Sequence, residues 1–248
     1  MLYTSEKCST FVCAIWGGIM CRQYKPMFKM MNRQHQISPS LLAADFGNLQ
    51  RECEMINRSH ADYLHVDVMD GVFVPNISFG FPVMKTLKQH CTKPLDVHLM
   101  ITHPEKYVER FCDAGAWSVG FHLEATDRAD SILDLIRAKG VRTCLTINPD
   151  IDVHRLDPYL DKVDMLLIMS VYAGFGGQSF IPEALDKVRY LRQAIDARGL
   201  NTLIEVDGGV NKKWAPELWR AGADVLVAGN AVFQAKDPLA AIDQLKQE

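Results

Sequence analysis

Three short stretches pair ionisable residues at a spacing of two. In "YLHVDVMDGVFVPN" (63–76) His65 is followed by Asp67, in "PLDVHLM" Asp96 is followed by His98, and in "TLIEVD" Glu205 is followed by Asp207. Side chains of an extended chain alternate between two faces. Each pair therefore shares a face, and the residues between them (Leu64, Val66 and Val68; Val97 and Leu99; Ile204 and Val206) form an apolar face opposite. Imidazole nitrogens and carboxylate oxygens are borderline donors for zinc, iron(II), cobalt or manganese. Carboxylates also carry protons in general acid–base chemistry. One such face could simply be the wet side of a strand. Several turned into one interior would each cost several kcal/mol in desolvation, and a bound cation removes that objection. His65, Asp67, His98 and Asp207, each near the C-terminal end of its run, are the candidate ligand set, with Asp67 and Asp207 as candidate proton carriers.

The elements that must position them alternate along the chain. From Ile37 onward the β-rich runs "QISPSLL", "ADYLHVDVMD", "PLDVHLM", "WSVGFHLE", "TCLTIN", "MLLIMSV", "TLIEVD" and "DVLVAGN" are separated by amphipathic stretches such as "GNLQRECEMINRSH", "DRADSILDLIRAKG" and "PEALDKVRYLRQAIDARG". Several of these close on a glycine (Gly115, Gly140, Gly199, Gly222), as helix C-termini do. Strand alternating with helix implies a parallel sheet. Eight units of roughly 26 residues predict an α/β fold, a single (β/α)8 TIM barrel spanning 35–248, whose active sites lie at the C-terminal ends of the strands. An open doubly wound sheet would bring GxGxxG after its first strand, and "SPSLLAADFGN" has none.

Composition narrows the function classes. The 248 residues are 48% hydrophobic and 23% charged with a net charge of -3. That balance gives no basic patch for nucleic acid, and no apolar run is long enough for a membrane span. The seven cysteines are odd in number and scattered, which predicts reduced thiols and a cytoplasmic protein. Residues 1–34 differ in kind: "STFVCAIWGGIMC" is apolar, but its flank "MLYTSEK" lacks the net positive charge of a signal peptide. They are expected to be a dispensable N-terminal extension.

A second constellation is made of glycines. "AGFGGQSF", "DGGV" and "AGNAVF" follow the sixth, seventh and eighth runs. Backbone N–H groups at such turns cradle anions, and this fold places phosphate after strands seven and eight. Cation and phosphate sites at one mouth predict a small phosphorylated ketose as substrate. Two carboxylates on opposite walls could take a proton from one face of a planar enediolate and return one to the other, which inverts the carbon. Asp70 lies out of phase with Asp67 and reads as a turn residue, while His122 and Glu124 could touch substrate or serve loop hydrogen bonds.

The motifs "ISPSLLAADF", "LHVDVMDGVFVPN", "LDVHLM", "GFGGQSF" and "IEVDGGV", in this order, resemble the ribulose-phosphate 3-epimerase family from about Ile37 to the C-terminus. The resemblance implies a (β/α)8 barrel that interconverts D-ribulose 5-phosphate and D-xylulose 5-phosphate with one divalent metal ion (Zn2+, Fe2+, Mn2+ or Co2+). It implies His65, Asp67, His98 and Asp207 as metal ligands, the two aspartates as acid and base, and Ser40 as a substrate contact. Gly174, Phe175, Gly176, Gly177, Gly208, Gly209, Gly229 and Asn230 would hold the phosphate end. Met69, Met100 and Met169 would surround the enediolate. Expected partners are the phosphorylated ketose and further copies of the chain, with neither nucleic acid nor membrane. One departure stands out: the family usually has Asn-Pro or Glu-Pro where this chain has Tyr172-Ala173. Losing proline frees the backbone there, which predicts a lid that is less pre-ordered. A six-carbon substrate such as allulose 6-phosphate, or a non-catalytic sugar-phosphate sensor, are the alternative readings. A decarboxylase-like barrel would carry lysine in a D-x-K-x-x-D pattern, where "HVDVMD" has Val68.

Overall fold

A computed structural model of the chain describes residues 34–247; the extension expected over 1–34 lies, but for Gln34, outside them. Eight strands form one sheet: β1 (Gln36–Pro39), β2 (Leu64–Met69), β3 (Leu95–Met100), β4 (Ser118–His122), β5 (Arg142–Ile147), β6 (Met165–Met169), β7 (Leu203–Asp207) and β8 (Val225–Ala228). Every pairing is parallel, in the order β1-β8-β7-β6-β5-β4-β3-β2. A parallel bridge between Ser40 and His65 and a bond from the Asp62 amide to the Ile37 carbonyl (2.9 Å) bring β1 and β2 together. The helices are α1 (Leu49–Arg58), α2 (Phe81–His90), α3 (Val108–Asp113), α4 (Ala129–Ala138), α5 (Ala184–Arg198), α6 (Ala215–Ala221), α7 (Asn230–Phe233) and α8 (Pro238–Leu245). The expected (β/α)8 barrel is what the described residues form.

The two faces of each strand go to different places. Leu64, Val66, Val68, Val97, Leu99, Ile204 and Val206 are buried with helix residues such as Ile56, Ile132, Leu191 and Leu218 in the main core. Each such side chain contributes about 1.5–3 kcal/mol of burial. The opposite face fills the barrel. Tyr63, Cys144, Met165, Leu167 and Val225 form a small apolar cluster inside it, and Met69, Val74 and Met100 form another. Asp96, Glu205, His65, Asp67 and His98 are also buried.

Helix ends follow the chemistry of their residues. Gly199 and Gly222 are left-handed C-caps of α5 and α6 (φ 67° and 108°), a conformation glycine adopts without the Cβ penalty. Between β5 and β6 the connection is a 3-10 stretch, Val153–Tyr159, not an α-helix. Pro158 inside it cannot donate the bond that an α-helix requires. Among the described residues no helix is long and apolar enough to cross a membrane.

Candidate metal and substrate site

The register of β2 on β3 sets the site. His65 lies beside Asp96, Asp67 beside His98, and Met69 beside Met100. The Nδ1 of His65 is 2.8 Å from Asp96 Oδ2, which turns Nε2 the other way. That Nε2 lies 3.3 Å from Asp67 Oδ1 and 3.9 Å from Asp207 Oδ2. From the neighbouring strand, His98 Nδ1 lies 3.4 Å from Asp67 Oδ1 and 3.8 Å from Asp207 Oδ2. Neither nitrogen has a hydrogen-bond partner, although both are buried. All four donor atoms fall within 4.8 Å of one another. Donors about 2.0–2.1 Å from a tetrahedral ion sit roughly 3.4 Å apart. Two orphaned imidazole nitrogens and two carboxylate oxygens at this spacing fit a divalent transition ion.

The carboxylates and imidazoles are unequal. Burial opposes ionisation of Asp67, yet His65 and His98 outweigh it and hold its pKa well below the usual range. Burial, with the Asp67 charge beside it, pushes Asp207 up to about 7. Burial lowers His65 too, but Asp67 and Asp96 more than reverse it. Beneath this layer, burial and the neighbouring Asp96 raise Glu205 far above an ordinary carboxyl, and both its oxygens lack hydrogen-bond partners. His65, Asp96 and Glu205 form a second close group that shares His65 with the first.

Above the four donors opens a cavity of about 640 Å³. Ser40, Asp67, Met69, Met100, Met169 and Asp207 line it, as do Gly174, Phe175, Gly176, Gly177, Gly208, Gly209, Gly229 and Asn230. His65 and His98 are not in its lining and sit fully buried. The remaining candidate residues thus meet at one mouth. Ser40 Oγ donates to Asp67 Oδ2 at 2.6 Å, so it engages one of the four donor residues as well as facing the cavity. Gly208 and Gly209 are required by space and conformation: with φ +118° and +63°, a Cβ would come 2.5 Å from Val171 Cγ2 and 2.6 Å from the Phe180 nitrogen.

Several contacts escaped the sequence. The loop carrying Tyr172-Ala173 is tied by three side-chain amides. Asn76 Nδ2 donates to the Gly174 carbonyl (2.7 Å), and Gln178 Nε2 donates to those of Tyr172 (2.7 Å) and Phe175 (2.9 Å). The Ala173 amide, which proline would lack, donates to Asn148 Oδ1 (3.1 Å). These ties supply part of the ordering whose loss the Tyr172-Ala173 pair suggests. Asn76 ends the motif "LHVDVMDGVFVPN", whereas Asn148 and Gln178 carry no signal in type or spacing. His122 does not reach the cavity: it lies behind His98, Nε2 to Nε2 at 2.9 Å, and burial pushes its pKa down to about 4. Asp70 accepts from the Val72, Phe73 and Thr102 amides and brackets a turn.

Known proteins resemble this chain in sequence and fold. A profile of the Ribulose-phosphate 3 epimerase family matches residues 36–233. A ribulose-phosphate 3-epimerase of Mycobacterium tuberculosis is 46% identical over 215 residues, covering 86% of this chain and 92% of the relative. That of Escherichia coli is 43% identical over 217 residues, covering 87% and 96%. Among solved structures, a 3-hexulose-6-phosphate synthase superposes with a TM-score of 0.61 at 20% identity, covering 86% and 98%. A tryptophan synthase α-subunit of Pyrococcus furiosus does so at 0.63 and 14%, covering 86% and 96%, a likeness of fold alone.

Proposed function

The chain belongs to the ribulose-phosphate 3-epimerase family, and from that premise we propose that it interconverts D-ribulose 5-phosphate and D-xylulose 5-phosphate by two-aspartate proton transfer at C3. The observation that carries this reading is the convergence of four donors under a cavity rimmed by glycine turns. His65 Nε2, Asp67 Oδ1, His98 Nδ1 and Asp207 Oδ2 would hold a divalent cation, which as a Lewis acid supplies several kcal/mol of stabilisation to charge developing on the substrate oxygens. Asp67 takes or gives a proton at Oδ2, the oxygen Ser40 holds in place. Asp207, on the strand five places further along the chain, works from the opposite side.

In one direction a carboxylate removes the C3 proton and leaves a planar 2,3-enediolate. The other residue, as the acid, delivers its proton to the far face. Proton count is conserved, C3 is inverted, and the reverse reaction exchanges the two roles. A positioned acid–base pair of this kind contributes about 100- to 10,000-fold each. Met69, Met100 and Met169 keep water from the enediolate with apolar, adaptable side chains. The turns at 174–177 and 208–209, with Gly229 and Asn230, accept the phosphate through backbone N–H groups. A cytoplasmic setting and self-association of the chain are part of the same reading, the latter measurable by light scattering.

The test is proton NMR of D-ribulose 5-phosphate in D2O with metal-loaded protein and a chelated control. Metal-dependent appearance of xylulose 5-phosphate with deuterium at C3 is expected. Conversion of allulose 6-phosphate alone would reassign the substrate. Absence of exchange in folded, metal-loaded protein would overturn the epimerase chemistry.

A further inference from the structure

Two imidazoles in contact must agree on who donates. His98 Nε2 and His122 Nε2 are 2.9 Å apart and buried. The far side of His122 settles the direction: its Nδ1 lies 3.0 Å from Glu124 Oε1. A bare nitrogen there would set two lone pairs against each other in a buried place, so Nδ1 carries the hydrogen and donates to the carboxylate. A neutral His122 has then no hydrogen on Nε2, which must accept. His98 donates Nε2–H to it and is left with a lone pair on Nδ1, the atom aimed at Asp67 and Asp207.

Glu124 is itself fixed. Its Oε1 also accepts from the Asn148 amide nitrogen (3.0 Å) and from Asn148 Nδ2 (2.8 Å). The Nδ2 to His122 Nδ1 distance of 3.4 Å is then a contact between two donors, in keeping with its length. His65 reaches the same result more directly, through Asp96 on its Nδ1. His122 stands two residues beyond Gly120, the residue on β4 that is paired with His98.

We propose that His122 and Glu124, braced by Asn148, are positioning residues that hold His98 in the tautomer with Nδ1 free for the cation. The inference rests on the proposed cation site. A metal-bound histidine commonly donates its second N–H to such a partner, and losing the partner costs about 10- to 100-fold in metal affinity.

The test uses the full chain with cobalt(II), which reports both affinity and geometry. His122→Phe keeps the ring shape and removes both nitrogens; His122→Gln keeps an acceptor and a donor. Affinity is read by competition with a chromophoric chelator, coordination by the visible ligand-field spectrum, and folding by thermal melting. His122→Phe is expected to bind cobalt about 10- to 100-fold more weakly with an altered spectrum, and His122→Gln to recover most of both. A Phe variant with wild-type affinity and spectrum overturns the relay while leaving the cation site standing. Wild-type protein that binds no cobalt overturns the cation site, and the relay with it. Should the Phe variant fail to fold, Glu124→Met removes the terminal acceptor, with the same expected weakening and the same overturning result.

Discussion

Stripping divalent cations from the protein is predicted to lower its melting temperature by about 5–11 °C, and the reasoning starts from the barrel interior. Asp67, Asp96 and Glu205 are buried, and Asp207 is largely so. His65 and His98 lie among them as basic groups, and burial lowers the pKa of His98. Burial and like charge push Asp207 up to about 7, the direction expected where an interior already holds other buried carboxylates. A cation held by the folded state alone stabilises by about 2.7 kcal/mol at a free concentration 100 times its Kd. For a domain of 150–250 residues each kcal/mol moves Tm by about 2–4 °C, which gives the range stated. The assay is calorimetry or dye-monitored melting in chelator, followed by titration with zinc, manganese or cobalt. An Asp67→Asn/Asp207→Asn double variant keeps the shape of the site and removes both anionic ligands, so its Tm should no longer respond. A wild-type Tm indifferent to chelator, or a double variant that keeps the full response, would refute the placement of the ion on these residues.

Three further outcomes follow from other parts of the site. Gly209→Ala puts a Cβ 2.6 Å from the Phe180 nitrogen at φ +63°; a non-glycine residue held there costs about 1–3 kcal/mol. If this turn binds phosphate, KM should rise more than the loss of Tm explains, and an unchanged KM in the folded variant would remove Gly209 from the phosphate site. For Asp70, burial opposes ionisation, but hydrogen bonds from the Thr102, Val72 and Phe73 amides outweigh it and hold the pKa below 3.8. Its folded pKa is depressed, so its contribution is fully present above the unfolded value and is lost as pH falls through the folded one. Asp70→Asn keeps one acceptor oxygen and turns an NH2 toward either the Thr102 amide or the Val72 and Phe73 amides, and should cost about 1–2 kcal/mol at neutral pH, a gap that denaturant titration should find closing in acid. Ala173→Pro gains about 0.4–1 kcal/mol of pre-ordering and loses a bond to Asn148 worth about 0.5–1.5 kcal/mol. KM is therefore expected to stay within about threefold; a tenfold fall would show the loop root to be free despite its ties.

How much of this could be read from the chain depends on which coordinate of the barrel is asked for. Alternation identifies the inward face, because barrel strands meet helices on one side and the interior on the other. Leu64, Val66 and Val68 are accordingly in the helix-facing core and Asp67 at the cavity. Height along the barrel axis is a different matter. Asp96 shares its phase with His98, and Glu205 with Asp207, yet neither is in the four-donor group; they lie a layer below, against His65. That height comes from the strand register, which sets His65 beside Asp96 and Leu167 beside Glu205, and each of these pairings joins segments separated by an intervening helix or loop. The same holds for depth behind the wall. His122 could be seen as a polar residue at a strand end, but its place behind His98, Nε2 to Nε2 at 2.9 Å, comes from the pairing of β4 on β3. The loop at Ala173 is a third case: its amide is satisfied by Asn148, 25 residues earlier in the chain. A residue's type states which atoms it can offer; whether it offers them to the ion, to the substrate or to another ligand is decided by neighbours that only the closed barrel brings within reach.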